Sequence, residues 1–107
     1  MEATETFDKN IRIGKYVFNP TERKLHMGGK TTLLTKKESA LLMLLATYRN
    51  TVVDRKEALE LIWGQWNYTN GRSMDVYISK LRKHLSSDLE VLIEVRRSVG
   101  FIMIVKP

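Results

Sequence analysis

Between Arg72 and Leu85 four basic side chains, Arg72, Lys80, Arg82 and Lys83, stand against a single acid, Asp75. Wound as a helix, Arg72, Val76, Ser79, Lys80 and Lys83 share one side, with Ser73 and Tyr77 along a flank. Such a face suits the major groove of duplex DNA, whose width of about 12 Å admits one α-helix. Cations at the ends of the helix reach phosphates, and mid-face groups of moderate size, here Val76, Tyr77 and Lys80, reach base edges. Val76, apolar on a polar face, suits a thymine methyl group. The same spacing also describes a solvated amphipathic helix with one surface valine. Asp75 lies three residues from Arg72, the spacing of a surface ion pair that would orient the guanidinium.

Two further basic features accompany this stretch. Arg96 and Arg97 fall at a predicted hairpin tip, where an exposed arginine suits the negative potential of the minor groove or simply keeps a turn soluble. Lys9, Arg12, Lys15, Arg23, Lys24, Lys30, Lys36 and Lys37 make the first third basic, with Glu22 the only acid between Lys9 and Lys37. Lys36 and Lys37 open a predicted helix, where free amides also favour phosphate. The formal net charge of +6 is therefore polarised along the chain. It points to a polyanion, most readily nucleic acid.

Other chemistries lack their residues. With no cysteine and only His26 and His84 as histidines, a thiolate or histidine-rich metal site is excluded, and no cofactor is expected. There is no nucleophile–base pairing and no phosphate-cradling glycine loop, so an enzyme is not expected. The longest apolar run, Ala40 to Ala46, is far short of the roughly 20 residues of a membrane span. The absence of cysteine fits a cytoplasmic protein.

The elements that must carry these groups follow from period and punctuation. The 107 residues suffice for one domain. Residues 1–9 read as a disordered leader or linker, and 10–107 as the folded domain. Ile11, Ile13, Tyr16 and Phe18, then Lys24 to Met27, Gly28-Gly29 and Lys30 to Leu34, predict a small antiparallel sheet. Thr35-Lys36-Lys37-Glu38 is a capping box before the stripe Leu41, Leu42, Leu44, Leu45, Tyr48. Asp54 to Glu57 repeats that logic before Ala58, Leu59, Ile62 and Trp63, and Gly64 ends the second helix. A polar loop, Gln65 to Gly71, follows. Asn70 then caps a third helix from Gly71 or Arg72 to about Leu85 or Ser86, buried through Met74, Ile78, Leu81 and Leu85. Leu92 to Val105 predicts a β-hairpin. The fold class is α+β: an N-terminal antiparallel sheet, three helices and a C-terminal hairpin, hence a helix-turn-helix with a wing.

Several strings are similar to one family. They are Leu34-Thr35 with Glu38 and Leu42; Arg55 with Leu59 and Trp63-Gly64; Arg72, Asp75-Val76, Ile78, Leu81-Arg82-Lys83 and Leu85; and Ile93, Arg97 and Val99-Gly100-Phe101. Together they resemble the OmpR/PhoB-type winged-helix effector domain of bacterial two-component response regulators, over about Ile11 to Val105. The resemblance implies a sequence-specific, double-stranded DNA-binding transcription regulator. Its helix 71–86 would enter the major groove and its wing Arg97 the minor groove. Arg72, Ser73 and Arg82 would meet phosphates, and Val76, Tyr77 and Lys80 would read bases, with Lys83 on the same DNA-facing side. Gln65, Trp66, Asn67, Tyr68, Thr69 and Asn70 would form a loop facing RNA polymerase. The resemblance also implies tandem dimers on direct repeats and a phospho-receiver domain, for which 107 residues leave no room. Ser79, Tyr77, Val95 and Ser98 depart from the family's frequent residues, a bulky base, His, Thr and Gly. A winged-helix module for protein interaction, with an incidental basic surface, is the alternative; steep salt dependence separates the two.

Overall fold

The computed structural model describes residues 10–107; the expected leader 1–9 lies outside the described residues. Strands β1 (Ile11–Ile13), β2 (Tyr16–Asn19), β3 (Lys24–Met27) and β4 (Lys30–Leu33) form an antiparallel meander in that order. Alternation turns Ile13, Tyr16, Phe18 and Leu25 into the core, as a half-buried sheet requires. The β3–β4 turn places Gly28 at φ 60°, a conformation glycine adopts without steric cost.

Helix α1 (Lys36–Thr47) begins with the expected reciprocal cap. Thr35 Oγ1 accepts from the Glu38 amide at 3.2 Å, and Glu38 Oε1 accepts from the Thr35 amide at 2.8 Å. Its stripe is narrower than the sequence suggested. Leu41, Leu42, Leu45 and Ala46 are buried, whereas Leu44 is half-buried and Tyr48 exposed. Strand β5 (Val53–Asp54) leads into α2 (Arg55–Trp63). Asp54 caps α2 by accepting from the Glu57 amide at 3.0 Å, without the return bond of a full box. Gly64 closes α2 in the left-handed region, as read from its position.

Helix α3 spans Tyr68–His84, one turn longer at its start than expected. The cap is Asn67, whose Oδ1 accepts from the Asn70 amide at 2.8 Å. The Asn70 side chain instead donates to the Gln65 carbonyl at 2.9 Å. Both asparagines are competent caps; Gly71 makes the later one look like the boundary, yet it sits inside the helix. Met74, Ile78 and Leu81 face the core, and Leu85 is the buried C-cap. Strands β6 (Val91–Arg96) and β7 (Gly100–Val105) form the hairpin, and β5 joins it in the order β5-β7-β6. The three helices thus pack between two antiparallel sheets, around one core that includes Phe18, Leu42, Leu59, Met74, Leu81, Phe101 and Met103. Each fully buried side chain of this kind contributes about 1.5–3 kcal/mol.

Candidate nucleic-acid interface

The core stripe of α3 fixes which side of the helix meets solvent. Arg72, Val76, Ser79, Lys80 and Lys83 are all exposed, Val76 at 53%. Three lysines and arginines therefore share this face with one apolar group, as the helical spacing required. Ser73 and Tyr77 are half-buried on the flank. The Tyr77 ring meets Trp63 edge-on with centroids 5.8 Å apart, and Lys80 Nζ lies 5.4 Å from the Tyr77 centroid. Packing against α2 thus sets the angle of the tyrosine that the sequence offered as a base reader.

Arg72 and Asp75 do not pair. Arg72 Nη1 donates to Tyr68 Oη at 3.2 Å, with its guanidinium over the same ring. Asp75 accepts from Arg55 instead, Nη1 to Oδ1 at 2.8 Å and Nη2 to Oδ2 at 3.3 Å. The reason is geometric: the added first turn of α3 supplies Tyr68 four residues before Arg72, while Asp75 turns toward the start of α2. Arg82 is exposed, but its Nε donates to the Ile93 carbonyl of β6 at 2.9 Å. One guanidinium edge therefore ties α3 to the hairpin.

At the hairpin, β6 continues through Arg96, which pairs with Gly100 in the ladder and with Glu94 Oε1 at 2.6 Å. Of the two arginines expected at the tip, only Arg97 lies in the turn, exposed beside Ser98 and Val99. Ser98 adopts φ 64°, where glycine would be at ease.

The loop between α2 and α3 is shorter than expected. Gly64 to Asn67 are all that remain outside helices, and Tyr68, Thr69 and Asn70 form the first turn of α3. Trp66 and Tyr68 are exposed there, and Lys56 Nζ lies 5.1 Å from the Trp66 centroid. Among the other basic residues, Lys37 sits 5.4 Å from the Trp63 centroid and Lys24 lies 3.6 Å from Glu22. Lys9 lies outside the described residues.

Two carboxylates hold the frame of this surface. Glu38 is buried, and His84 Nε2 at the end of α3 lies 3.1 Å from its Oε2. Burial alone would raise the Glu38 pKa, but the Thr35 amide and His84 outweigh it and hold the carboxyl below its usual range. Asp88 accepts from the amides of Glu90 at 2.9 Å and Lys15 at 2.8 Å. Those two bonds, with the Lys15 charge, hold it low against the opposing effect of burial. The spacing of charges does not point to Arg55 or Tyr68. For Tyr68 the signal was the four-residue step to Arg72; for Arg55 only its place in the family string marked it.

Among the described residues no helix is long and apolar enough to cross a membrane, and no group of His, Cys, Asp and Glu could hold a metal ion. The family model described as "Transcriptional regulatory protein, C terminal" matches residues 29–103. Among curated proteins, the chain is 52% identical over 77 residues to the transcriptional regulatory protein RprY of Bacteroides fragilis, covering 72% of this chain and 33% of that protein. It is 33% identical over 95 residues to the heme response regulator HssR of Staphylococcus epidermidis, covering 88% and 42%. The chain therefore spans well under half the length of these relatives. Among solved structures, the DNA-binding domain of CpxR from E. coli superimposes with a TM-score of 0.81 at 25% identity, covering 94% of this chain and 100% of that one. The Klebsiella pneumoniae RstA DNA-binding domain, solved in complex with the RstA box, gives 0.75 at 30% identity, covering 90% and 97%.

Proposed function

The chain belongs to the family of transcriptional regulatory protein C-terminal domains, the DNA-binding output domains of response regulators, and from that premise we propose how it reads duplex DNA. The exposed face of α3 enters the major groove. Arg72, Ser73, Arg82 and Lys83 engage phosphates, while Val76, Tyr77 and Lys80 read base edges. Arg97 at the hairpin tip enters the minor groove.

The observation that carries this reading is the juxtaposition of two basic elements on one frame. The solvent face of α3 is cationic with Val76 at its middle, and the Arg82–Ile93 bond ties that helix to the strand leading to Arg97. The likeness to the RstA DNA-binding domain, solved in complex with the RstA box, supports a DNA-binding role for this fold. The domain is a binding unit rather than an enzyme.

The reading extends to the whole regulator. Tandem copies bind direct repeats, and Gln65 to Asn70, the loop before α3 with the start of its first turn, face RNA polymerase. A phospho-receiver domain elsewhere in the protein controls this one, and the protein works in the cytoplasm. Selection from a randomised duplex pool tests the core of the reading. A repeated half-site should emerge, with affinity falling steeply as salt rises, by a log–log slope of about −0.9 per neutralised phosphate. Affinity that is insensitive to salt, with no enriched sequence, would overturn it in favour of a protein-interaction module.

A further inference from the structure

One residue touches both DNA-facing elements without belonging to either. Arg55 opens α2, and its backbone amide donates to the Val99 carbonyl of the wing turn at 2.9 Å. Its guanidinium forks onto the Asp75 carboxylate, and Nη2 also donates to the Gly71 carbonyl at 3.0 Å. The same group stacks 5.7 Å from the Phe101 ring centroid in β7. Phe101 in turn pairs with Val95 of β6 and Val53 of β5. Two glycines leave room for this arrangement. A Cβ on Gly71 would lie 2.9 Å from Arg55 Nη2, and a Cβ on Gly100 would lie 1.8 Å from the Val53 carbonyl oxygen.

We propose that Arg55 is a positioning residue that locks the rotation of α3 to the wing, so that Arg97 and the α3 face engage one duplex in a single register. The inference rests on the reading that α3 and Arg97 both contact DNA. Asp75 stands next to Val76 and three residues after Arg72; holding its carboxylate holds the turn that presents both. A simple surface ion pair would need one partner. Arg55, with a side chain 35% exposed, serves a carboxylate, a carbonyl and an aromatic ring, and its amide serves the wing. Lysine cannot reproduce the fork and the stack together.

The test is a double-mutant cycle on the selected duplex, read by titration of the whole chain, with thermal melting of each variant. Arg97→Ala is measured alone, in Arg55→Gln and in Gly71→Ala. Gly71→Ala keeps the Arg55 charge and places a better helix former in α3, while its methyl group dislodges the guanidinium. It therefore separates register from stability, and it serves if Arg55→Gln fails to fold. Arg97→Ala should weaken wild-type binding about tenfold, near 1.4 kcal/mol, and by less than about twofold in either altered background. An equal tenfold loss in all three backgrounds would overturn the coupling and leave the DNA reading intact. No loss in the wild type would overturn the wing reading and the proposal with it.

Discussion

On the proposed reading Arg82 does two separable things, and its replacement should show both. Arg82→Ala removes one hydrogen bond, from Nε to the Ile93 carbonyl at 2.9 Å, and one positive charge from the DNA-facing side. An intramolecular hydrogen bond of this kind is worth about 1 kcal/mol net. For a domain of this size that corresponds to a fall in melting temperature of about 4–8 °C. Loss of one phosphate contact should make the log–log salt slope shallower by about 0.9. Between 50 and 200 mM salt, the variant should therefore lose about 3.5-fold less affinity than the wild type. Fluorescence anisotropy on the selected duplex and on a scrambled one, across a salt series, reads this directly. Both duplexes should weaken by about the same factor, since a phosphate contact carries no sequence information. Arg82→Lys supplies the control: the salt slope should return while the melting temperature stays low, because lysine keeps the charge but has no Nε for Ile93. If Arg82→Ala altered sequence preference, or left the salt slope unchanged, its assignment to phosphate would be wrong.

The positions proposed to read bases should behave in the opposite way. Val76→Ala and Lys80→Ala are expected to change which half-sites win a selection, by about 1–3 kcal/mol at single base pairs, with little change on scrambled DNA. Acid stability follows from Glu38 and Asp88, whose carboxyls are both held below their usual range. A depressed native value contributes stability that is complete above the unfolded value of about 4 and is lost as pH falls from there through the lower native value. Chemical denaturation should thus show stability dropping below about pH 4, and Asp88→Asn should flatten that drop. In the core, Leu42 is fully buried, and Leu42→Ala should cost about 2–5 kcal/mol, read as a lowered denaturant midpoint at unchanged slope.

What could be read from the sequence was what is local in the chain. Thr35 and Glu38 sit three residues apart and satisfy each other's amides, so the start of α1 was visible. Gly64 and the stripe Met74, Ile78, Leu81 and Leu85 were visible for the same reason, as was the outward face of α3 that follows from the stripe. The sequence leaves the start of α3 open because Asn67 and Asn70 are equally good caps, and because Gly71 resembles a boundary. Asn67 takes the cap, and Gly71, inside the helix, offers its carbonyl to Arg55, sixteen residues earlier. Spacing pairs Asp75 with Arg72, but its partner stands twenty residues away on another helix. Periodicity says which way a side chain faces and nothing about which distant element arrives there. The interface was thus legible as a face, while the contacts that aim it were not.

The first hairpin is stitched to a segment more than seventy residues later, which bears on how the domain is made. The Lys15 amide reaches Asp88 across 73 residues, and the Ser87 amide reaches Tyr16 Oη across 71. These contacts join the first hairpin to the connector between α3 and β6, so closing them requires most of the chain to be in place. Such long-range pairing raises contact order and slows folding. The hairpin is accordingly part of the cooperative unit, although the family match begins only at residue 29. A chain begun there would leave Asp88 without its Lys15 donor and the Ser87 amide without its phenol. A nascent chain released from the ribosome should therefore acquire the surface proposed to read DNA only after its first strands have docked onto the connector that follows α3.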